Sequence, residues 1–182
     1  MNIKKVEVMA LILPHGGKMP EIDGNAFVAQ TAVVTGDVTI GADSSIWYGC
    51  ILRGDVNTIR IGCGVNIQDG TVVHTSRPIG TVIGDRVSIG HMALIHACTL
   101  EDDSFVGMKA CVMDGAVVEN GALVAAGSLV TPGKRVPAGQ MWAGSPARYV
   151  RDINDKDRAM MAHVQPNYVN LGSAYKKAES EI

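Results

Sequence analysis

Large rings are scarce in this chain. Phe, Trp and Tyr together make up 4% of its 182 residues, and charged residues 19%, against roughly 25% charged in an average soluble domain. An excess of one charge is missing too: 16 Lys and Arg against 18 Asp and Glu leave a formal net charge of −2, which offers no broad basic face to nucleic acid. No stretch approaches the ~18 uninterrupted apolar residues of a membrane span. The four cysteines (Cys50, Cys63, Cys98 and Cys111) form no C-x-x-C pair, so neither a zinc knuckle nor a dithiol redox motif is indicated. They are expected to be buried small hydrophobes in a reducing cytoplasm. Lys4 and Lys5 imitate the start of a signal peptide, but Glu7 and the short apolar stretch Val8 to Leu13 speak against an h-region.

Glycine, at 21 residues, and small aliphatics take the place of rings and charges. Hydrophobic residues reach 47% and mean hydropathy is +0.16. A disordered chain would be polar and charged. A collagen-like chain would keep glycine at every third position, which this one does not. The length suits one domain with a real core, since a chain of ~150 residues already hides roughly 70% of its unfolded surface.

The aliphatics recur at steps of six: Val28, Val34, Ile40, Ile46, Leu52. The step breaks over Arg53 to Ile59, resumes at Ile61, Ile67 and Val73, and breaks again over Thr75 to Val82. It continues through Ile83, Ile89 and Ile95, takes one five-residue step to Leu100, and then keeps time from Val106 to Val136. No α-helix has period six. A six-residue unit with one inward aliphatic suits a short strand and a tight corner. Three units close a triangular coil of ~18 residues, and stacked coils pair as parallel strands roughly 4.8 Å apart. Small residues suit the corners, and the narrow interior leaves no room for rings.

The pattern resembles the hexapeptide-repeat proteins, and the resemblance implies a left-handed parallel β-helix. Residues 27–150 are expected to form this β-helix, with residues 1–26 covering its N-terminal end. Residues 151–182 read as a helical tail packed on the prism, the whole being one domain. In the tail, Asn154 caps a short helix to about Gln165. Pro166 interrupts it, and a second helix runs from Asn167 to about Glu179. Met160, Met161, Val164, Tyr168, Leu171 and Tyr175 recur at helical spacing.

His15 and His163 carry no evident role. His74, His91 and His96 do, because three histidines fall within 23 residues of a rigid repeat. His74 directly follows Val73 and His96 directly follows Ile95, so they share a phase; His91 follows Ile89 by two and does not. Imidazole suits Zn²⁺, Fe²⁺ or Co²⁺, and three protein ligands leave a place for water.

Taken with Arg53-Gly54-Asp55 in the first break and Gln68-Asp69 ahead of His74, this set resembles the γ-class carbonic anhydrases. The resemblance implies a homotrimer with metal sites between subunits, His74 and His96 from one chain and His91 from its neighbour. It also implies an Arg53–Asp69 salt bridge across the interface, with Asp55 in the same polar network. Gln68 would hydrogen-bond the metal-bound water or bicarbonate, and Asn167-Tyr168 corresponds to a family Asn/Tyr pair near the metal. The activity implied is reversible hydration of carbon dioxide to bicarbonate by a metal-bound hydroxide. Two departures predict slow turnover: Val56 stands where active members carry a glutamate, and Thr75-Ser76-Arg77-Pro78 replaces their acidic loop. The alternatives are an acyl-coenzyme A thioesterase or acyltransferase on the same fold, or a non-catalytic metal-binding scaffold.

Overall fold

The computed structural model describes residues 9–180; the segment holding Lys4, Lys5 and Glu7 lies outside them. The six-residue step is built as expected, into a left-handed parallel β-helix. Each short strand lies between partners from the coils before and after. Leu94–His96 sits between Val72–His74 and Cys111–Val112, and Ser88–Ile89 between Asn66–Ile67 and Phe105–Val106. Three aliphatic columns fill the interior. One is Val34, Leu52, Val73, Ile95, Val112 and Val130; the second runs from Ile40 through Ile83 to Val136; the third runs from Ile46 through Ile89 to Val124. All of these are at most 4% exposed. Burying each such side chain contributes ~1.5–3 kcal/mol, so stability is spread along the prism.

The corners need backbone in the left-handed region. In one corner column Gly49, Gly70, Met92, Lys109 and Gly127 all hold φ between 58° and 71°. Met92 and Lys109 do so without glycine's freedom, held by the bonds from Met92 N–H to Asp69 O and from Lys109 N–H to His91 O, both 2.8 Å. The two breaks in the period are loops bulging at one corner. Gly36 pairs with Gly54 and Val38 with Ile59, so one residue on the earlier coil faces four on the later. Asn57 Nδ2 then donates to the carbonyls of Ser76 (3.2 Å) and Arg77 (3.0 Å), tying the two bulges together.

The outer faces differ, and that difference positions the site. One face carries α1 (Asp155–Ser180), which packs on the strands Phe27–Val28, Ser45–Ile46, Asn66–Ile67 and Ser88–Ile89. The scarce rings gather here, outside the prism. Trp47 stacks edge-on against Phe27 (5.3 Å), Tyr168 (5.4 Å) and Tyr175 (5.1 Å). A Cβ on Gly172 would sit 3.2 Å from Ser45 Cβ and 3.4 Å from Phe27 Cβ, so glycine lets the helix approach closely. A second face bears the strands of His74 and His96. Its outward column is apolar through seven coils: Leu11, Val33, Ile51, Val72, Leu94, Cys111 and Leu129. The third is mixed, with Arg60, Val82, Thr99, Val117 and Arg135 in register.

Two expectations are corrected. The tail is one helix, not two, and Pro166 lies inside it. A mid-helix proline costs about 3 kcal/mol. The prism holds the helix on both sides of that position, through Gln165 Nε2 donating to Gly64 O (3.0 Å) and Tyr168 on Trp47. At the N-terminal end, Leu11–Leu13 and Glu21–Ile22 pair in parallel with Val33–Ile40. Of the cysteines, Cys50 and Cys98 are buried, but Cys63 is exposed and Cys111 half-buried. Cys63 sits in a corner and Cys111 points outward from its strand. No described helix is long and apolar enough to cross a membrane.

Candidate metal centre

Register brings Arg53, His74 and His96 into one column, on three successive coils. Each follows an inward aliphatic (Leu52, Val73, Ile95), so each points outward at the corner widened by the two bulges. His74 Nδ1 faces His96 Nε2 at 3.2 Å. The bulge carries Asp55 to the other side of His74, with Oδ1 3.0 Å from Nε2. Asp55 also pairs with Arg53. Burial opposes ionisation of Asp55, but the hydrogen bonds from His74 and Arg53 prevail and hold its pKa at about 2. On the far side of His96, Asp114 Oδ1 lies 2.7 Å from Nδ1. That hydrogen bond draws the Asp114 pKa below the ordinary carboxylate value.

His91 stands elsewhere. It occupies the corner before the strand Leu94–His96, whereas His96 occupies the corner after it. At ~3.3 Å per extended residue the two are separated by roughly 10 Å or more. His91 Nδ1 is 2.9 Å from Asp69 Oδ2, directly below it on the previous coil. Among the described residues, no group of three His, Cys, Asp or Glu in one chain can hold a metal. One chain therefore presents a histidine pair and a single histidine at opposite edges of its apolar face.

Beside His91 a cleft of about 530 Å³ runs between the prism and α1. Gln68, Tyr168, Met108, Met160 and Leu123 are among its walls. Gln68 is buried; its Nε2 donates to Asn66 Oδ1 (2.9 Å), and Asn66 Nδ2 donates to Ser88 Oγ (2.8 Å). The Gln68 carbonyl oxygen is thereby left as the acceptor for the cleft. Tyr168 packs on Trp47 and also lines the cleft. Burial, with the nearby Asp69 charge, raises its pKa. Asn167 is exposed.

The donor set fits a cation of the zinc class. Two ligands of a tetrahedral zinc with Zn–N of 2.0–2.1 Å are about 3.3 Å apart, close to the 3.2 Å between His74 Nδ1 and His96 Nε2. Each of the three histidines also has a carboxylate on its other ring nitrogen (Asp55, Asp69 and Asp114), the arrangement that orients metal-binding imidazoles. Asp114 was not found from the sequence. The signal was present: it lies 18 residues after His96, one full coil onward.

The chain matches no family model. It is 49% identical over 170 residues to gamma carbonic anhydrase 2, mitochondrial, of Arabidopsis thaliana, covering 90% of this chain and 61% of the relative. The chain thus spans about three fifths of that relative's length. Against carbonic anhydrase of Geobacillus kaustophilus it is 39% identical over 171 residues, covering 94% of each. Among solved structures, the hexapeptide transferase family protein from Anaplasma phagocytophilum superposes with a TM-score of 0.87 at 48% identity, covering 91% of this chain and 98% of that one. Repeat, histidine set and these likenesses agree, and the chain belongs to the gamma carbonic anhydrase family of hexapeptide-repeat proteins.

Proposed function

We propose that three copies of this chain assemble around three metal sites and hydrate carbon dioxide reversibly to bicarbonate. The observation that carries this reading is the split of the histidines. His74 and His96 converge at one edge of the apolar face while His91 stands at the other. A threefold assembly lays the His91 edge of one copy against the His74–His96 edge of the next. The outward column Ile51, Val72, Leu94 and Leu129 is the surface such packing would bury. Arg53 and Asp69 stand at the same two edges, which suits the cross-subunit ion pair implied by the family resemblance.

His74, His96 and the neighbouring copy's His91 would hold Zn²⁺, or alternatively Fe²⁺ or Co²⁺. A bound zinc ion supplies a hydroxide nucleophile near neutral pH. The chain's own residues do the rest. Asp55, Asp69 and Asp114 aim the imidazoles. The Gln68 carbonyl oxygen accepts a hydrogen bond in the cleft and orients the reacting oxygen. Met108, Met160 and Leu123 keep the cleft apolar for an uncharged substrate. Asp55 is committed to His74 and Arg53, Asp114 to His96, and Val56 carries no proton, so protons leave through external buffer and turnover is slow.

A second reading, hydrolysis of a thioester by the same nucleophile, draws support from the cleft's volume, which far exceeds what carbon dioxide needs. Four free cysteines support work in a reducing compartment such as the cytoplasm. Stopped-flow hydration of carbon dioxide by zinc-loaded protein, and by anaerobic iron-loaded protein, tests the proposal beside a coenzyme A thioester assay. Hydration above buffer supports it; turnover of the thioester alone sinks it.

A further inference from the structure

Each imidazole of the converging pair has one nitrogen facing the other ring and one facing a carboxylate, but the two rings use opposite atoms. His74 gives Nε2 to Asp55 and Nδ1 to the pair; His96 gives Nδ1 to Asp114 and Nε2 to the pair. A neutral imidazole holds one N–H and one lone pair. An ionised carboxylate only accepts, so the His74 proton sits on Nε2 and its Nδ1 is a lone pair.

His96 then has two choices. With its proton on Nε2 it donates to His74 Nδ1 across 3.2 Å. The pair is then self-satisfied and closed to a cation. With its proton on Nδ1 it donates to Asp114 across 2.7 Å, and two lone pairs converge on one point. We propose that Asp114 is a positioning residue which fixes the second tautomer and so keeps the histidine pair open to metal. This rests on the metal centre proposed above.

The geometry favours that outcome. A hydrogen bond to an ionised acceptor is roughly twice as strong as one between neutral groups, so the Asp114 bond outweighs the imidazole–imidazole one. Asp114 is also held rigidly. Its carbonyl accepts from Gly133 N–H (2.8 Å), and the next residue, Gly115, donates to Ala97 O (2.7 Å). The corner of Asp114 is thus stacked directly on the corner that follows His96. Among the described residues, Asp114 is the hydrogen-bond partner of His96 Nδ1, and no other holds the His96 proton away from His74.

The test uses the full-length protein and its Asp114→Ala and Asp114→Asn variants. Long-range ¹H–¹⁵N spectra of the metal-free proteins, recorded well above the ordinary imidazole pKa of about 6.5, assign the His96 tautomer. Competition with a chromophoric chelator measures Zn²⁺ affinity, which loss of such a partner lowers by about 10–100-fold. The expected result is an Nδ1–H tautomer in the parent and an Nε2–H tautomer with that loss in Asp114→Ala. Asp114→Asn, whose carbonyl still accepts from Nδ1–H, should keep the parent tautomer and lose less affinity. If Asp114→Ala does not fold, Asp114→Ser is judged by the same two readouts. An alanine or serine variant with the parent tautomer overturns the proposal, as does equal loss of affinity in Asn and Ala. A parent protein that binds no zinc contradicts the metal centre instead, while the metal-free tautomer still judges Asp114.

Discussion

His74 Nδ1 and His96 Nε2 face each other across 3.2 Å, with Asp55 behind one ring and Asp114 behind the other. Both rings stand outside the prism, beyond the buried Val73 and Ile95. Function and folding should therefore separate. His96→Ala is expected to abolish zinc retention while leaving the circular dichroism spectrum intact and shifting stability by no more than about 1 kcal/mol. Ile95→Ala, one residue earlier and fully buried, should cost ~2–5 kcal/mol. A His96→Ala protein that unfolds would show that the histidines are structural.

Leu94 lies in the apolar outward column and is 37% exposed in a single chain. A charge there should be harmless to one prism and damaging between prisms, since burying an unpaired charge is costly. Light scattering of Leu94→Glu should report a monomer with the parent's β-sheet content. A trimer of unchanged mass would place the subunit interface on another face.

The start of α1 is held by Asp157, whose carboxylate takes hydrogen bonds from Arg151 and the Asn154 N–H. The Arg151 bond leads in lowering the Asp157 pKa to about 2, below the value of about 3.9 for a free aspartate. A depressed folded-state pKa means that this stabilisation is complete above about pH 4 and is lost as pH falls towards 2. Acid unfolding in that window should be followed by the tryptophan fluorescence of Trp47 in the cluster under α1. Asp157→Asn should already be less stable at neutral pH and should lose this part of the pH dependence. Parallel acid curves for the two proteins would contradict the assignment.

Val56 projects from the first bulge, next to Asp55, and is 41% exposed. Nothing at that position carries a proton. Val56→Glu is expected to raise carbon dioxide turnover at low buffer by ~10-fold or more, short of the roughly 10²–10⁴-fold that a well-positioned acid–base group contributes. In strong buffer the gain should shrink. An unchanged rate at low buffer would show that proton transfer does not limit this protein.

The prism was legible because its interior admits one aliphatic per six residues, and that period survives in the sequence from Val34 to Val136. The shared phase of His74 and His96 was legible for the same reason. Asp114 was not, because its meaning depends on the rise of one coil, a contact 18 residues long. The single helix was misjudged at Pro166. Local propensity marks a break there, but the Gln165 bond to Gly64 before it and the packing of Tyr168 and Tyr175 on Trp47 after it hold the helix across it. The placing of His91 away from the pair was foreshadowed by its phase and by the family resemblance. The corner that separates it from His96 is a three-dimensional fact.

The central claim is that each metal site takes two histidines from one chain and one from the next, and subunit mixing tests it most directly. His74→Ala and His91→Ala proteins are each prepared, unfolded together in equal amounts, refolded, and titrated with zinc. Neither parent variant should bind. In random mixed trimers about one quarter of the interfaces bring an intact His74–His96 pair against an intact His91, so zinc binding should return to about one quarter of the wild-type amount. If every site lay within one chain, both kinds of chain would be defective and mixing would restore none.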